Sequence, residues 1–204
     1  MFEPTKQRAH RGRLSGIVLR VASIDELDIL CDIDRDASRL FERAGLDMAA
    51  SNEFEFAAAE RRRWLDCLRS GGTLLASAGS GELLGFAALG MLDGEGYLEQ
   101  LSVRMHAMRQ GIGTALVAAV ERMAETVRAR TLWLTTYGHL PWNRPFYERA
   151  GFSIVPAEQW GSEITQELLF QRRLLPEPDE RVVMHKALGA SKMIGPQPLS
   201  VLLV

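Results

Sequence analysis

The chain has 204 residues, of which 47% are hydrophobic and 25% are charged, and its formal net charge at pH 7 is -2. This composition is typical of one ordinary globular domain that is long enough to bury a substantial core. A net charge so close to zero does not favour a broad surface for nucleic acid or for an anionic membrane, and no apolar run is long enough to span a bilayer.

The cysteine content bears on the compartment. The sequence contains two cysteines, Cys31 and Cys67, and both fall in predicted helices. They form neither a metal-ligand spacing nor a disulfide framework, which is typical of a reducing cytoplasm. The basic N-terminal residues have no apolar segment behind them and therefore do not resemble a secretory signal. We expect a cytoplasmic protein with no metal site.

Hydrophobic periodicity and turn residues divide the chain into an arm, a series of helices and strands, and a tail. Residues 1–16 are polar and basic without periodicity, which predicts a flexible arm, and a tail follows at 189–204. Between them the patterns predict strands at 17–21, 73–77, 83–92, 96–103, 131–136, 152–155 and 181–186, and helices at 24–44, 53–69, 112–129, 141–150 and 163–174. This order predicts one α+β domain at 17–188, with a mixed, largely antiparallel sheet flanked by helices.

The first predicted helix has a start signal and an acidic cluster. Ser23 with Glu26 three residues later forms a capping-box pattern. Further along, Asp32, Asp34 and Asp36 alternate with other residues in an acidic cluster. Two interpretations of the cluster stay open: a solvated acidic face, or a surface that attracts a cationic substrate.

The most informative stretch runs from Tyr97 to Leu116. Its pattern predicts a strand, a short basic loop and a helix start flanked by Gly111 and Gly113. Strict alternation predicts that Tyr97, Glu99, Leu101 and Val103 share one face of the strand. After the second glycine the apolar residues change to a helical spacing.

This helix start is a candidate anion site. A helix N-terminus carries unpaired N–H groups and the positive end of the macrodipole, which suit a phosphate or pyrophosphate. Gly111 and Gly113 lack a Cβ, so a ligand can approach the backbone closely, while Arg104 and Arg109 add positive charge. A tight turn without a ligand is the alternative. A nucleotide-binding domain is disfavoured because the third glycine of a dinucleotide fingerprint and the Lys-Ser/Thr of a P-loop are missing.

Two segments and the order of elements resemble one family. The strand-to-helix segment from Val103 to Leu116 and the later segment from Phe146 to Phe152, with its Tyr-x-x-x-Gly-Phe pattern, are similar to motifs of the GCN5-related N-acetyltransferase (GNAT) superfamily. The resemblance extends over about 17–188. It implies a GNAT-like fold and acetyl-CoA as the acetyl donor.

The resemblance also implies which residues hold the cofactor. Backbone groups of the glycine loop would bind the pyrophosphate of CoA, and the preceding strand would bind the pantetheine arm. Carried over to this sequence, the cofactor-binding residues are Leu101, Ser102, Val103, Arg109, Gln110, Gly111, Ile112, Gly113, Thr114 and Asn143. The sequence departs from the family at Met108, where Arg or Gln is usual, and at Leu140, which replaces a frequent asparagine.

Two residues are candidates for the chemistry. Direct transfer to an amine requires removal of a proton from the amine, polarisation of the thioester carbonyl and protonation of the leaving thiolate. By its match to the family, Tyr147 would be the general acid; its alternative is a core tyrosine packed against Phe146 and Phe152. Glu99 would be the general base, directly or through a water; its alternatives are an exposed strand residue and an ion-pair partner.

The predicted function is therefore N-acetyltransfer from acetyl-CoA to a primary amine of a small molecule or peptide. The alternative is an acyl-CoA-binding sensor or interaction module of the same fold without turnover. A homodimer formed through the final strand or the apolar C-terminal residues is a further expectation.

Overall fold

The structure is a computed structural model that describes residues 16–46, 53–189 and the short strand at 202–203. The arm predicted at 1–16 and the tail predicted at 189–204 lie almost wholly outside the described residues, as does most of the loop after the first helix.

The described residues form eight strands and five helices, with short 3-10 turns between some of them. In chain order these are β1 (Ile17–Val21), α1 (Leu27–Arg43), α2 (Glu53–Arg69), β2 (Thr73–Ala78), β3 (Leu83–Leu92), β4 (Glu95–Val103), α3 (Ile112–Thr126), β5 (Thr131–Tyr137), α4 (Arg144–Arg149), β6 (Ser153–Ile154), α5 (Ser162–Leu174), β7 (Arg181–Ala187) and β8 (Leu202–Leu203).

All strands belong to one sheet with the order β6-β7-β5-β4-β3-β2-β1-β8. Every neighbouring pair is antiparallel except β4 and β5, which are parallel. The predicted α+β fold with a largely antiparallel sheet is confirmed. β8, which pairs with β1, was not predicted.

Local sequence signals explain where helices begin and end. The capping box at Ser23 and Glu26 is present, and the backbone N–H of Ser23 donates to the Glu26 carboxylate at 2.8 Å. It caps a 3-10 turn that leads into α1. α3 ends at Thr126 rather than at the predicted residue 129, because the chain turns at Arg128, whose φ is +66°.

Helices cover both faces of the sheet. α3 packs on one face, where Leu116 and Val120 join an apolar cluster with strand residues such as Leu98 and Leu134. α1 and α2 pack on the other face in a second cluster, which the structure builds from the following buried side chains: Leu30, Ile33, Trp64, Leu68, Leu75 and Phe86. The sheet therefore carries an apolar cluster on each face, and the pairing of its strands has a local break.

The break lies between β4 and β5. These strands pair only at Gly96–Leu132 and Tyr97–Trp133. Beyond these pairs the two strands no longer pair, although β5 stays paired with β7 along its whole length. We call the opening between 98–103 of β4 and 134–137 of β5 the β4–β5 gap.

A β-bulge accompanies the gap. Ala88 of β3 pairs with Gln100, but the next residue, Leu89, pairs with Leu98, so that Glu99 is the extra residue of β4. A bulge of this kind bends the strand and increases its twist, which carries β4 away from β5.

The bulge corrects the predicted faces of β4. Leu101 and Val103 were predicted to share a face with Tyr97 and Glu99, but they pack in the α3 cluster together with Leu98. Glu99 instead contacts α2. The prediction was wrong because an extra residue in the ladder shifts the alternation by one position.

Among the helices of the described residues, none combines the length and the apolar character needed to cross a membrane.

Asp93, in the turn between β3 and β4, caps α5 from a distant part of the chain. Its carboxylate accepts hydrogen bonds from the backbone N–H groups of Glu163 and Ile164, each at 3.0 Å. Desolvation raises the pKa of the Asp93 carboxyl, but these bonds together with those from Ser162 outweigh it, so that the pKa is lowered overall. We expect Asp93→Ala to reduce the free energy of unfolding by about 1 kcal/mol, the usual value of an N-cap.

Chemical denaturation measures this effect, and two variants sharpen it. Asp93→Asn keeps one acceptor oxygen and tolerates the φ of +51° at this position, so it should lose less stability than Asp93→Ala. Asp66→Ala removes only an exposed ion pair with Arg69 and should cost much less than either. Equal losses for Asp66→Ala and Asp93→Ala would contradict the capping role.

Candidate active site

The β4–β5 gap leaves backbone polar groups of β4 without a neighbouring strand. The N–H of Arg104 donates to the carbonyl of Leu84 on β3 at 2.8 Å. Because alternate residues of an antiparallel ladder bond to the same neighbour, the polar groups of Ser102 also face β3. The N–H and C=O groups of Leu101 and Val103 therefore point away from β3, towards the gap, and can bind an extended ligand as a further strand would.

The loop before α3 has the backbone geometry of an anion site. Gly111 is the N-cap of α3 with φ +88°, and Arg109 also has a positive φ, +62°. Both residues and Thr114 are exposed, and nothing lies within 4 Å of the position where a Gly111 Cβ would be. The first N–H groups of α3 have no intrahelical partner, so their positive ends are available to a phosphate group.

The other residues of this loop have structural roles as well. Ile112 is buried in the core, so only its backbone can contact a ligand. Gln110 donates to the carbonyl of His106 at 3.0 Å and thereby braces the loop. A Cβ on Gly113 would lie 3.4 Å from the ring of Phe146. The missing side chain at Gly113 thus lets α4 pack directly against the start of α3.

Ser102 was predicted to contact the cofactor, but its side chain is held elsewhere. Its hydroxyl donates to the carboxylate of Asp34 on α1 at 2.6 Å, and Gln100 donates to the same oxygen at 2.6 Å. Ser102 is also almost fully buried. This arrangement supports a role in fixing β4 to α1 and does not support a side-chain contact with a cofactor.

The acidic cluster of α1 contacts β4 and the loop that follows this strand. Besides Asp34, Asp36 accepts the backbone N–H of Met105 at 2.7 Å, and Asp32 pairs with Arg104 at 2.6 Å. Burial raises the pKa of Asp34. The interpretation as a simply solvated face is therefore wrong for Asp34 and Asp36, since both are committed to β4 and the loop that follows it.

Tyr147 lies on α4, whose N-cap is Asn143. The carbonyl of Asn143 accepts the N–H of Tyr147 at 3.1 Å, so the backbone of Asn143 positions this helix. The ring of Tyr147 packs edge-on against Phe146 and Phe152, with centroids 5.1 and 5.8 Å away, as its core alternative predicted. Burial raises the pKa of the phenol, which the charge of Arg181 partly opposes. The phenol is therefore protonated at neutral pH, the form that a general acid requires.

Glu99 forms an ion pair with α2. Its carboxylate lies 3.1 Å from Nε of Arg63, and only 7% of its side chain is exposed. A Cβ on Gly90 would lie 2.6 Å from this carboxylate, so the glycine of β3 makes room for it. Burial raises the pKa of Glu99 to about 7, Arg63 opposes the rise and Glu167 adds to it. The ion-pair alternative is confirmed, and the exposed alternative is excluded.

A polar network around Glu99 was not predicted. Arg63 also contacts Glu167 of α5 at 3.4 Å, and Gln171 donates to Glu167 at 2.6 Å. Gln171 in turn accepts hydrogen bonds from Thr135, at 2.7 Å, and from Arg181. The sequence does contain a signal for this network: Glu167 and Gln171 are one helical turn apart, and this spacing indicates a polar inner face on α5.

These residues lie on two sides of the sheet. Tyr147 packs with the α3 cluster, whereas Glu99 contacts α2 on the opposite face. The β4–β5 gap is the opening between the two sides. Over the described ranges 16–46 and 53–189, no group of three or more His, Cys, Asp or Glu side chains is arranged to hold a metal ion.

Comparison with known proteins identifies relatives of this arrangement. A sequence model of the acetyltransferase (GNAT) family matches residues 30–152, which is more than half of the chain.

Several solved structures share the fold. PaiA N-acetyltransferase from Thermoplasma acidophilum, in complex with coenzyme A, has a TM-score of 0.61 at 18% identity, with 84% of this chain and 98% of that chain covered. A GNAT-family acetyltransferase from Staphylococcus aureus Mu50 has a TM-score of 0.62 at 15% identity, with 85% and 99% covered. The ribosomal-protein-S18-alanine N-acetyltransferase of Escherichia coli has a TM-score of 0.55 at 17% identity, with 90% and 99% covered. At these identities the likeness shows the fold.

The raised pKa of Glu99 predicts a pH-dependent effect on stability. Between its ordinary pKa of 4.5 and its folded pKa of about 7, the folded protein keeps a proton that the unfolded chain releases. The contribution of Glu99 to the free energy of unfolding is therefore fully present below pH 4.5 and is lost as the pH rises to 7. Relative to Glu99→Gln, the wild type should lose up to about 3 kcal/mol across this range.

Urea unfolding of both proteins between pH 4 and pH 8 measures this difference. A difference that stays constant with pH would show that burial does not disfavour the Glu99 carboxylate.

Proposed function

The chain belongs to the acetyltransferase (GNAT) family, and from this premise we propose that it transfers an acetyl group from acetyl-CoA to a primary amine. The transfer is direct: the amine nitrogen forms a bond to the thioester carbonyl carbon, and the bond from that carbon to sulfur breaks. The amine loses a proton to a base, and the CoA thiolate gains one from an acid.

One observation carries the proposal. The free backbone edge of β4 at Leu101 and Val103 leads directly to the loop and helix start at Gly111. Acetyl-CoA has two matching parts, since its extended pantetheine arm contains amides and its pyrophosphate is an anion. The arm can pair with β4 while the pyrophosphate binds the N–H groups at the start of α3.

The names of the relatives support the same chemistry. The Thermoplasma acidophilum structure is an N-acetyltransferase with coenzyme A bound, and the Escherichia coli protein is an N-acetyltransferase acting on an alanine of a ribosomal protein. These two names support N-acetyl transfer as the reaction of this chain at the β4–β5 gap.

The two faces of the sheet divide the chemistry between them. The thiolate leaves on the α3 side, where the protonated phenol of Tyr147 donates to it, and the amine approaches from the side of α1 and α2, where Glu99 lies. Because the Glu99 side chain is only 7% exposed, it takes the proton through a water rather than by direct contact. A backbone N–H of β4 near Val103 polarises the carbonyl.

Acidic side chains on this face suit an amine as the acceptor. Asp34, Glu60 and Glu167 lie on the helices that cover the face, with Arg63 on α2 and Arg181 on β7. Because burial raises the pKa of Glu60 and favours its neutral form, these groups act on an amine as hydrogen-bond acceptors rather than through an excess of negative charge. A small molecule and a peptide both fit this chemistry.

One prediction of this function concerns acetyl-CoA binding. Gly111 and Gly81 both have φ +88° with open space around the Cβ position, so alanine strains the two positions about equally. We expect Gly111→Ala to weaken acetyl-CoA binding by about tenfold, because it displaces the N–H groups at the start of α3, whereas Gly81→Ala leaves the affinity unchanged. Isothermal titration with acetyl-CoA, ATP and NAD measures both the effect and its selectivity.

Absence of acetyl-CoA binding by the folded wild type would mean that the glycine turn is only structural. If both alanine variants weakened acetyl-CoA binding equally, the binding site would not lie at the loop of Gly111.

Another prediction of this function concerns turnover. Tyr147→Phe keeps the packing against Phe146 and Phe152 but removes the proton donor. We expect kcat to fall about a hundredfold with the KM for acetyl-CoA little changed, as measured by CoA release over a panel of amines. Tyr137→Phe is the control, because the Tyr137 hydroxyl donates to the carbonyl of Pro176 within the protein.

The same assay tests the alternative. An acyl-CoA-binding module binds acetyl-CoA but releases no CoA with any amine, and Tyr147→Phe then changes nothing.

A further inference from the structure

We propose that Arg63 is a positioning residue for Glu99, and that Glu167 sets the strength of the interaction between Arg63 and Glu99 by sharing the guanidinium. Glu99 is thereby held as a carboxylate that is only partly neutralised and can still accept a proton. This inference rests on the proposed function and adds to it two residues, one on α2 and one on α5.

The geometry places one cation between two nearly buried carboxylates. Nε of Arg63 lies 3.1 Å from Glu99, and Nη1 lies 3.4 Å from Glu167. The exposed fractions of the three side chains are 25% for Arg63, 7% for Glu99 and 11% for Glu167. A guanidinium committed to Glu99 alone would stabilise its carboxylate and oppose proton uptake. Sharing the charge weakens that effect.

Glu167 is fixed so that it cannot turn away from Arg63. Its other oxygen accepts a hydrogen bond from Gln171 at 2.6 Å. Gln171 is buried and is held in turn by Thr135 and Arg181. The second contact of Arg63 is therefore built into the packing of α5 against β5 and β7.

Arg63 is itself constrained by an aromatic ring. Its guanidinium carbon lies 5.6 Å from the centroid of Phe170, and Arg173 lies at the same distance from that ring. Arg173, however, is exposed and pairs with Glu55 at 2.6 Å. The chain thus contains a second arginine on the same ring that makes no contact with Glu99, which provides a matched control.

The other charged and titratable groups near Glu99 do not replace this pair. Cys67 of α2 and Tyr97 of β4 stay neutral, because burial raises the pKa of each, that of Cys67 to about 12. Burial also raises the pKa of Glu60 on α2 well above its ordinary value, which favours its neutral form. Asp34 of α1 is hydrogen-bonded to β4, and Arg181 of β7 bonds to Thr135 and Gln171.

The two partners should act in opposite directions on the pH dependence. Removing the Arg63 charge makes the Glu99 carboxylate harder to form, so the acidic limb of kcat/KM moves to higher pH. Removing the Glu167 charge leaves Arg63 to Glu99 alone, so the limb moves to lower pH. The movement for Arg63→Gln should be about one pH unit or more, as expected for a charge within 4 Å of a buried carboxylate. The movement for Glu167→Gln should be smaller, because Glu167 contacts Arg63 and acts on Glu99 through it.

The experiment compares Arg63→Gln, Glu167→Gln, Arg63→Lys and Arg173→Gln. The acidic limb of kcat/KM is measured for each with acetyl-CoA and the best amine, and the Glu99 carboxyl is titrated by NMR in the free protein labelled with ¹³C-glutamate. We expect opposite movements for Arg63→Gln and Glu167→Gln, near-wild-type behaviour for Arg63→Lys, which keeps the charge, and no movement for Arg173→Gln.

A uniform loss of kcat/KM at all pH values, with the limb and the NMR titration in place, would show that Arg63 is merely structural and would overturn the inference. If Arg63→Gln does not fold, Glu167→Gln alone decides, because its limb must move to lower pH. Failure of the proposed function looks different: the wild type then acetylates no amine, while the NMR titration still tests the coupling of Arg63 and Glu167 to Glu99.

Discussion

β4 and β5 stop pairing after Tyr97 and Trp133, inside a sheet that is covered by helices on both faces. Backbone N–H and C=O groups that lose a neighbour in such a place need another partner, because leaving them buried and unpaired is costly. The bulge at Glu99 lies beside this opening, and the apolar cluster of α3 packs against β4 next to it. The edge of β4, the start of α3 and the helix of Tyr147 are all arranged around it.

Burial affects the two candidate catalytic groups in the same direction but with different consequences. It raises the pKa of both Tyr147 and Glu99 by disfavouring their charged forms. For the phenol, this keeps the proton in place for donation. For the carboxyl, it brings the pKa to about 7, where proton uptake and release are balanced near neutrality. In the proposed reaction, one physical effect thus suits Tyr147 to act as the acid on one face of the sheet and Glu99 to act as the base on the other.

Much of the architecture could be predicted because its signals are local. The capping box at Ser23, the glycine start of α3 and the packing of Tyr147 between two phenylalanines depend on residues close together in the sequence. The bulge could not be predicted, because nothing in the sequence around Glu99 distinguishes an extra residue from regular alternation; pairing with β3 decides it. Arg63 and Glu167 were missed since they come from helices far apart in the chain.

The contacts of α1 with β4 connect the two sides of the β4–β5 gap. Asp34 holds β4, and Asp36 holds the backbone at Met105, where the loop towards Gly111 begins. In the proposed function this loop binds the donor and α1 borders the acceptor side, so a ligand that shifts the loop also acts on α1 through these two carboxylates. Such a coupling is reciprocal, and a ligand that acts on α1 then changes donor binding by the same free energy.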